Sequence, residues 1–412
     1  MCRLPEEKDI GIFSFLSKSP GVGGKLRKRV EDFFVEEIPK SFPQKSRGKN
    51  LWLKIKLRNW ETNRFIKILS RNLGISRNRI KFAGTKDKRA ITIQYFCILN
   101  YPWEINLNLK DVEILEIFRS DACLDLGDLL GNKFRIVLSD AICDERIRNV
   151  EEELNGFFPN FFGVQRFGAS RPITHIVGKF ILLSEFEEAV RYYIGYPSPF
   201  EHDEGRRIFF DTLDAREALK NIGKADYERA MLNHLILHPG DYAGALKSLP
   251  NNLLLLFIHA YQAYLFNIMV SRRLEYGIEL EDGDVVMKVD QNGLPIQEFV
   301  SVNSFNRNTI QKRILERKAY LSTILPGYKI EFSGGIQGEI ERDVMEEEGI
   351  TPEMFRIKEM RELSSKGRRR NILSPIVDYK RSECLFEFFL YRGSYATSLM
   401  REFMKQKELH FY

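Results

Sequence analysis

The residues with the clearest chemical character lie together at 84–89, GTKDKR. Asp87 sits between Lys86 and Lys88, with Arg89 and Lys81 close in sequence. Cations that near favour the ionised form, so Asp87 is expected to be a carboxylate at neutral pH. Gly84 lets the chain turn sharply ahead of it. A carboxylate ringed by cations suits a nucleophile that meets a phosphate-rich substrate: the cations take the backbone while the carboxylate reaches a base. The plain alternative is a solvated charged turn, and for the pentapeptide GTKDK alone that alternative has the stronger claim.

A second group is NFFGVQRFG at 160–168, where Gln165 and Arg166 stand among Phe161, Phe162 and Phe167. Rings interleaved with a guanidinium suit RNA, by stacking and phosphate contact. They also suit a hydrophobic hinge between domains. The phenylalanines are read as hinge, and the role of Arg166 stays open. Of the six histidines (His175, His202, His234, His238, His259 and His410), only His234 and His238 have a metal-like spacing. They lie four apart before Pro239, without an HExxH pattern or a nearby acidic partner, and are read as helix-end residues. Neither GxxxxGK[ST] nor a strand-linked GxGxxG occurs, so nucleotide hydrolysis and dinucleotide chemistry have no support.

These residues need elements to hold them. FFVEEI at 33–38 and LWLKIKL at 51–57 read as strands. In the second, Leu51, Leu53, Ile55 and Leu57 alternate with Trp52, Lys54 and Lys56. Thr62 reads as a helix N-cap; Phe65, Ile66, Leu69 and Leu73 follow at helical spacing, and Gly74 is the stop. The strand at 90–99 places Ile91, Ile93, Tyr95, Cys97 and Leu99 on one face, so Asp87 falls in a polar turn between a helix and a long strand. Further strands are expected at 133–138 and 384–391, then a turn RGSYA and a helix to about Lys405. The middle, 171–365, reads as mostly helical (207–222, 225–237, 252–275), with a strand-and-turn region at 284–305. Strand-rich ends around a helical middle predict an inserted domain. The basic run Lys366, Arg368, Arg369, Arg370 is read as its return linker or as part of an electrostatic track.

Composition sets the bounds. A chain of 412 residues is too long for one ordinary core. Lys and Arg number 63 against 57 for Asp and Glu, a net +6 that is too mild to prove nucleic-acid binding on its own. The cysteines Cys2, Cys97, Cys123, Cys143 and Cys384 are odd in number and lack CxxC spacing. That argues against a disulfide framework and a cysteine zinc site, and for a reducing cytoplasm. The start MCRLPEEKD is not a secretory signal. The apolar run 253–270 contains His259, Gln262 and Asn267 and is read as a buried helix rather than a membrane span.

Taken together, the motifs carry a resemblance. GTKDKRAITIQ (84–94) resembles the catalytic motif of TruD-type pseudouridine synthases. PGVGGKLRKRVEDFFVEE (20–37), GNKF (131–134), NFFGVQRFG (160–168), HAYQAYLFN (259–267) and GSYATSLMREF (393–403) resemble five more family segments, in the right order and across nearly the whole chain. The resemblance implies that uridine in tRNA, usually uridine 13, is isomerised to pseudouridine, with Asp87 as nucleophile or base on a flipped nucleotide. It implies that Phe134 stacks on uracil, against a plain reading as core with Ile136 and Leu138. Asn132 would orient the loop or base, against a plain reading as a turn residue. Arg27 would be the cation near Asp87, with Lys25, Lys28 and Arg29 as competitors for that place. Lys86 and Arg166 complete the expected substrate contacts. No cofactor, metal, membrane or obligatory protein partner is expected, and the chain is expected to be a monomer.

The expected fold is α/β (α+β): a mixed, mostly antiparallel sheet at 1–165 plus 371–412, with a mainly α insertion at 166–370. Two rivals remain. A non-catalytic RNA-binding or RNA-chaperone protein predicts that Asp87→Ala leaves function intact. A zinc deaminase lacks its H-x-E and P-C-x-x-C signature here.

Overall fold

The computed structural model describes residues 3–43, 45–86, 88–168, 170–200 and 203–412. The expectations for Asp87, His202 and Cys2 thus fall outside the described residues. The chain forms two compact units, each α/β in make-up. One comprises 17–158, 374–406 and 411–412; the other comprises the residues up to Leu16, 159–373 and 407–410.

In the first unit a sheet runs in the order Val377–Ser382, Leu385–Tyr391, Leu129–Val137, Phe33–Pro39, Ile91–Ile98, Asn50–Arg58, Val112–Ser120, and Ile80–Phe82 also pairs with Ile91–Ile98. Phe33–Pro39 and Ile91–Ile98 run parallel, while the other neighbours are antiparallel. The alternation read from sequence is the reason one face is apolar. Leu51, Leu53, Ile55 and Leu57 are buried against Phe65, Ile66 and Leu69 of the helix Thr62–Asn72. Each such side chain contributes about 1.5–3 kcal/mol on burial. Gly131 is set by close approach: a Cβ there would lie 2.2 Å from the Leu390 carbonyl oxygen.

Two expectations for this unit are corrected. The cap of the first helix is Glu61, whose carboxylate accepts from the Asn63 and Arg64 N–H groups. Thr62 is the first helical residue, and its hydroxyl is used elsewhere. Cys143 and Cys384 form a disulfide, with Cα atoms 5.6 Å apart, although 241 residues separate them in sequence. Local spacing says nothing about a pair that remote.

The second unit is mainly helical, with a four-stranded antiparallel sheet in the order Pro295–Ser301, Val285–Val289, Ala319–Leu325, Arg368–Asn371. The helix Asn251–Tyr276 is long and apolar enough to cross a membrane, and 67% of its most apolar window is buried inside the protein. Residues 3–16, expected with the strand-rich ends, belong to this unit. Asn267 Nδ2 donates to the Ile10 carbonyl at 2.9 Å and Ser271 Oγ to that of Gly11 at 3.1 Å. Gly11 has φ +78°, and a Cβ on it would meet the Tyr264 carbonyl oxygen at 2.8 Å.

The helix expected at 207–222 is two helices, Glu204–Thr212 and Ala215–Asn221. Leu213 breaks them with φ +57°, and Asp214 caps the second. The basic run is exposed at Lys366 and Arg368 but buried at Arg369 and Arg370. Arg369 is buried, its Nη1 donating to Ser333 Oγ at 3.0 Å. Arg370 lies 3.7 Å over the Phe162 ring and donates to Asn160 Oδ1 at 2.8 Å. His234 does have an acidic partner, Asp241, at 2.9 Å. Among the described residues no cluster of His, Cys, Asp or Glu is arranged to hold a metal.

Candidate active site

Four segments of the sheet unit line the face on which Lys86, the chain neighbour of Asp87, is held, the basic arm joining it at Phe33. The first is the strand Phe33–Pro39, in which Phe33, Val35 and Glu37 point to one buried face. A glutamate on an otherwise apolar face is costly unless paired. Glu37 is 1% exposed, and its Oε1 holds the Lys86 ammonium at 2.5 Å. Its Oε2 accepts the Tyr95 N–H at 3.1 Å. Burial pushes the Glu37 carboxyl above its usual range, while the Lys86 cation and the Tyr95 N–H pull it back.

The second segment is Leu129–Val137. Antiparallel register sets Asn132 directly opposite Glu37 and Phe134 opposite Val35, so all four share one face. Asn132 Oδ1 is buried and has no hydrogen-bond partner among the described residues. Phe134 is 9% exposed, edge-on to Phe33 at 6.2 Å and tilted against Phe388 at 5.4 Å.

The third is the basic arm before Phe33. Arg27 has φ +56°, the left-handed region that non-glycine residues seldom adopt. Its guanidinium lies 4.1 Å over the Phe33 ring, and Nη1 donates to the Tyr412 carbonyl at 3.4 Å. Asp32 fixes the arm: it accepts the Arg29 N–H at 2.8 Å, the Arg29 guanidinium, and Ser139 Oγ at 3.0 Å. Arg27, Phe33, Phe134 and Phe388 thus form a continuous chain of stacked and edge-on groups.

The fourth is the start of the helix at Thr62. Its hydroxyl, released from capping by Glu61, accepts the Lys86 N–H at 2.8 Å. It donates to Gln94 Oε1 at 3.1 Å, and Gln94 Nε2 donates to Thr92 Oγ1 at 2.8 Å.

The structure therefore brings together Arg27, Lys86, Asn132 and Phe134 of the residues expected from sequence. Arg166 belongs to the helical unit, on the 3-10 turn Val164–Arg166, with its guanidinium 5.6 Å over Phe162. Sequence reasoning missed Glu37, Thr62 and Gln94 as parts of the site. The signal for Glu37 was present, since an acid follows Phe33 and Val35 at period two.

This arrangement offers a buried ion pair, an unspent carbonyl acceptor, an aromatic ring and a guanidinium around one loop. It suits recognition of a planar base that carries an N–H donor, next to a phosphate backbone. Comparison with known proteins gives the family. Residues 9–403 match the family model described as tRNA pseudouridine synthase D (TruD). A Methanosarcina mazei protein named probable tRNA pseudouridine synthase D is 40% identical, over 98% of this chain and 99% of its own. A Pyrococcus abyssi protein of the same name is 40% identical over 95% and 98%. The crystal structure of a TruD-assigned protein from Methanosarcina mazei superposes with a TM-score of 0.83 at 39% identity, covering 99% of this chain and all of that one. With motifs, fold and full-length relatives in agreement, this chain is a member of the tRNA pseudouridine synthase D (TruD) family.

Proposed function

We propose that this protein isomerises uridine to pseudouridine in tRNA, with uridine 13 as the target and Asp87 as the carboxylate that carries the exchange. The glycosidic C1′–N1 bond breaks, the freed uracil turns, and a C1′–C5 bond forms. The C5 proton leaves and N1 ends protonated, so atoms and charge balance without an oxidant or reductant. A carboxylate nucleophile or base divides that substitution into two easier steps. The target nucleotide must leave the stack to reach it.

The observation that carries this reading is Asn132 Oδ1: a buried acceptor with no partner among the described residues, opposite the Glu37 that holds Lys86. Such a group is costly to keep unless a ligand uses it. The uracil N3–H donates to it, which selects a pyrimidine with an imide over cytosine. Phe134 supplies the aromatic surface beside the base. Arg27, lying over Phe33, supplies positive charge to the flanking phosphate. Lys86, its ammonium committed to Glu37, anchors the chain just before Asp87, and Arg166 contributes a further RNA contact. The purified chain acts alone, as a monomer.

The test is site mapping. Unmodified tRNA transcripts are incubated with the protein and pseudouridine is located chemically. Product at position 13, absent from a transcript with cytidine at 13, is expected. Product at another position with none at 13 overturns the site assignment, and no product in any tRNA overturns the activity.

A further inference from the structure

Thr92 and Gln94 interrupt a sheet face that is otherwise apolar, and Thr62 begins the helix that covers it. All three are 0–1% exposed. Buried polar side chains are destabilising unless each finds a partner, so their presence needs a reason. Neither helix nor sheet requires them. The cap is supplied by Glu61, and the strand ladder is made by backbone groups. What the three side chains do together is hold one peptide. Thr92 Oγ1 receives Gln94 Nε2, Gln94 Oε1 receives the Thr62 hydroxyl, and Thr62 Oγ1 receives the N–H of Lys86. The Lys86 carbonyl also lies 3.4 Å from the same hydroxyl. The Lys86 side chain is held independently by Glu37. Lys86 is therefore fixed at its backbone and at its tip, just before the residue assigned to the chemistry.

We propose that Thr62 and Gln94 are positioning residues for the isomerisation: their relay fixes the Lys86 peptide, and through it the approach of the Asp87 carboxylate to the nucleotide. This rests on the reading of Asp87 given above. Neither residue touches RNA. Their loss is felt in the chemical step and not in binding, because a misplacement on the order of 1 Å costs about 100-fold in rate.

The test compares kcat, KM and the tRNA dissociation constant for wild type, Thr62→Val, Thr62→Ser, Gln94→Met and Asp87→Asn. Valine keeps the shape of Thr62 but removes both hydrogen bonds. Thr62→Val is expected to lower kcat by about 10- to 100-fold while tRNA affinity stays within about 2-fold. Thr62→Ser, which keeps the hydroxyl, is expected to recover most of the loss. Gln94→Met removes the acceptor for that hydroxyl and the donor to Thr92 but leaves the Thr62–Lys86 bond in place, and gives a smaller loss; it also reads the relay if Thr62→Val fails to fold. Wild-type kcat in Thr62→Val overturns the proposal, as does a loss matched by an equal loss of tRNA affinity or one that serine does not repair. If Asp87→Asn turns over like wild type, the reading of Asp87 fails and the relay has nothing to position. If Asp87→Asn is inactive while Thr62→Val keeps the wild-type kcat, the relay alone fails.

Discussion

Replacing Lys86 with methionine removes the cation from a carboxylate that water cannot reach. Glu37 is 1% exposed and Lys86 is 11% exposed at the side chain. Breaking a buried pair by deleting one partner costs about 3–5 kcal/mol, because the remaining charge is stranded. The cost depends on pH in a fixed direction. Glu37 already titrates above the ordinary carboxylate value because of burial. Without Lys86 its pKa rises further. Between the unfolded value, 4.5, and the raised native value, the folded protein binds the proton more tightly than the unfolded chain. Stability of the variant therefore increases as pH falls through that window and decreases as pH rises through it. Lys86→Met should be destabilised by about 3–5 kcal/mol at pH 7.5 and by clearly less near pH 5. The double variant Glu37→Gln/Lys86→Met should recover at least about half of the loss, since no charge remains buried. Tryptophan fluorescence in a urea titration is the assay. The three tryptophans, Trp52, Trp60 and Trp103, all lie in the sheet unit, so the signal reports that unit alone. A Lys86→Met loss under about 1 kcal/mol, or one independent of pH, would refute the buried-pair argument.

Three further outcomes follow from the same geometry. Asn132→Ala removes a buried acceptor that has no partner among the described residues, so urea stability should not fall by more than about 1 kcal/mol. Its kcat/KM for tRNA should fall by about 10-fold or more, since the ligand bond is lost. Arg27→Gly exchanges a φ of +56° for a residue that adopts it freely, and gives up the stack on Phe33. These effects nearly cancel, leaving stability within about 1 kcal/mol while tRNA KM rises. Cys143→Ser or added reductant opens the link to Cys384 and should cost about 2–4 kcal/mol in the sheet unit, read as a lower urea midpoint. An unchanged midpoint would show that the bridge contributes nothing.

What the sequence revealed was local. The alternation in LWLKIKL and the spacing of Phe65, Ile66 and Leu69 give the strand, the helix and the face each buries, because period and burial are the same fact. GNKF and VEDFFVEE are legible as motifs, yet their alignment side by side is a matter of sheet register. No reading of 131–134 alone brings Asn132 opposite Glu37. The Thr62 hydroxyl shows the same limit. A threonine before an apolar helix reads as a cap, but an adjacent glutamate does that work, and the threonine serves a loop 24 residues away. The seat of residues 3–16 and the Cys143–Cys384 bond are long-range events with no local signal. The break at Leu213 did have one, since Asp214 followed by Ala215–Glu217 is an ordinary cap pattern. The basic run at 366–370 misleads by composition: Phe162 and Asn160 claim Arg370, a pairing visible only in three dimensions.

The central claim concerns one carboxylate. Wild type and Asp87→Asn are incubated in parallel with unmodified tRNA, and pseudouridine is quantified over time. Loss of product in the asparagine variant, with tRNA affinity retained, is the predicted result. Product formed by Asp87→Asn at the wild-type rate would contradict it.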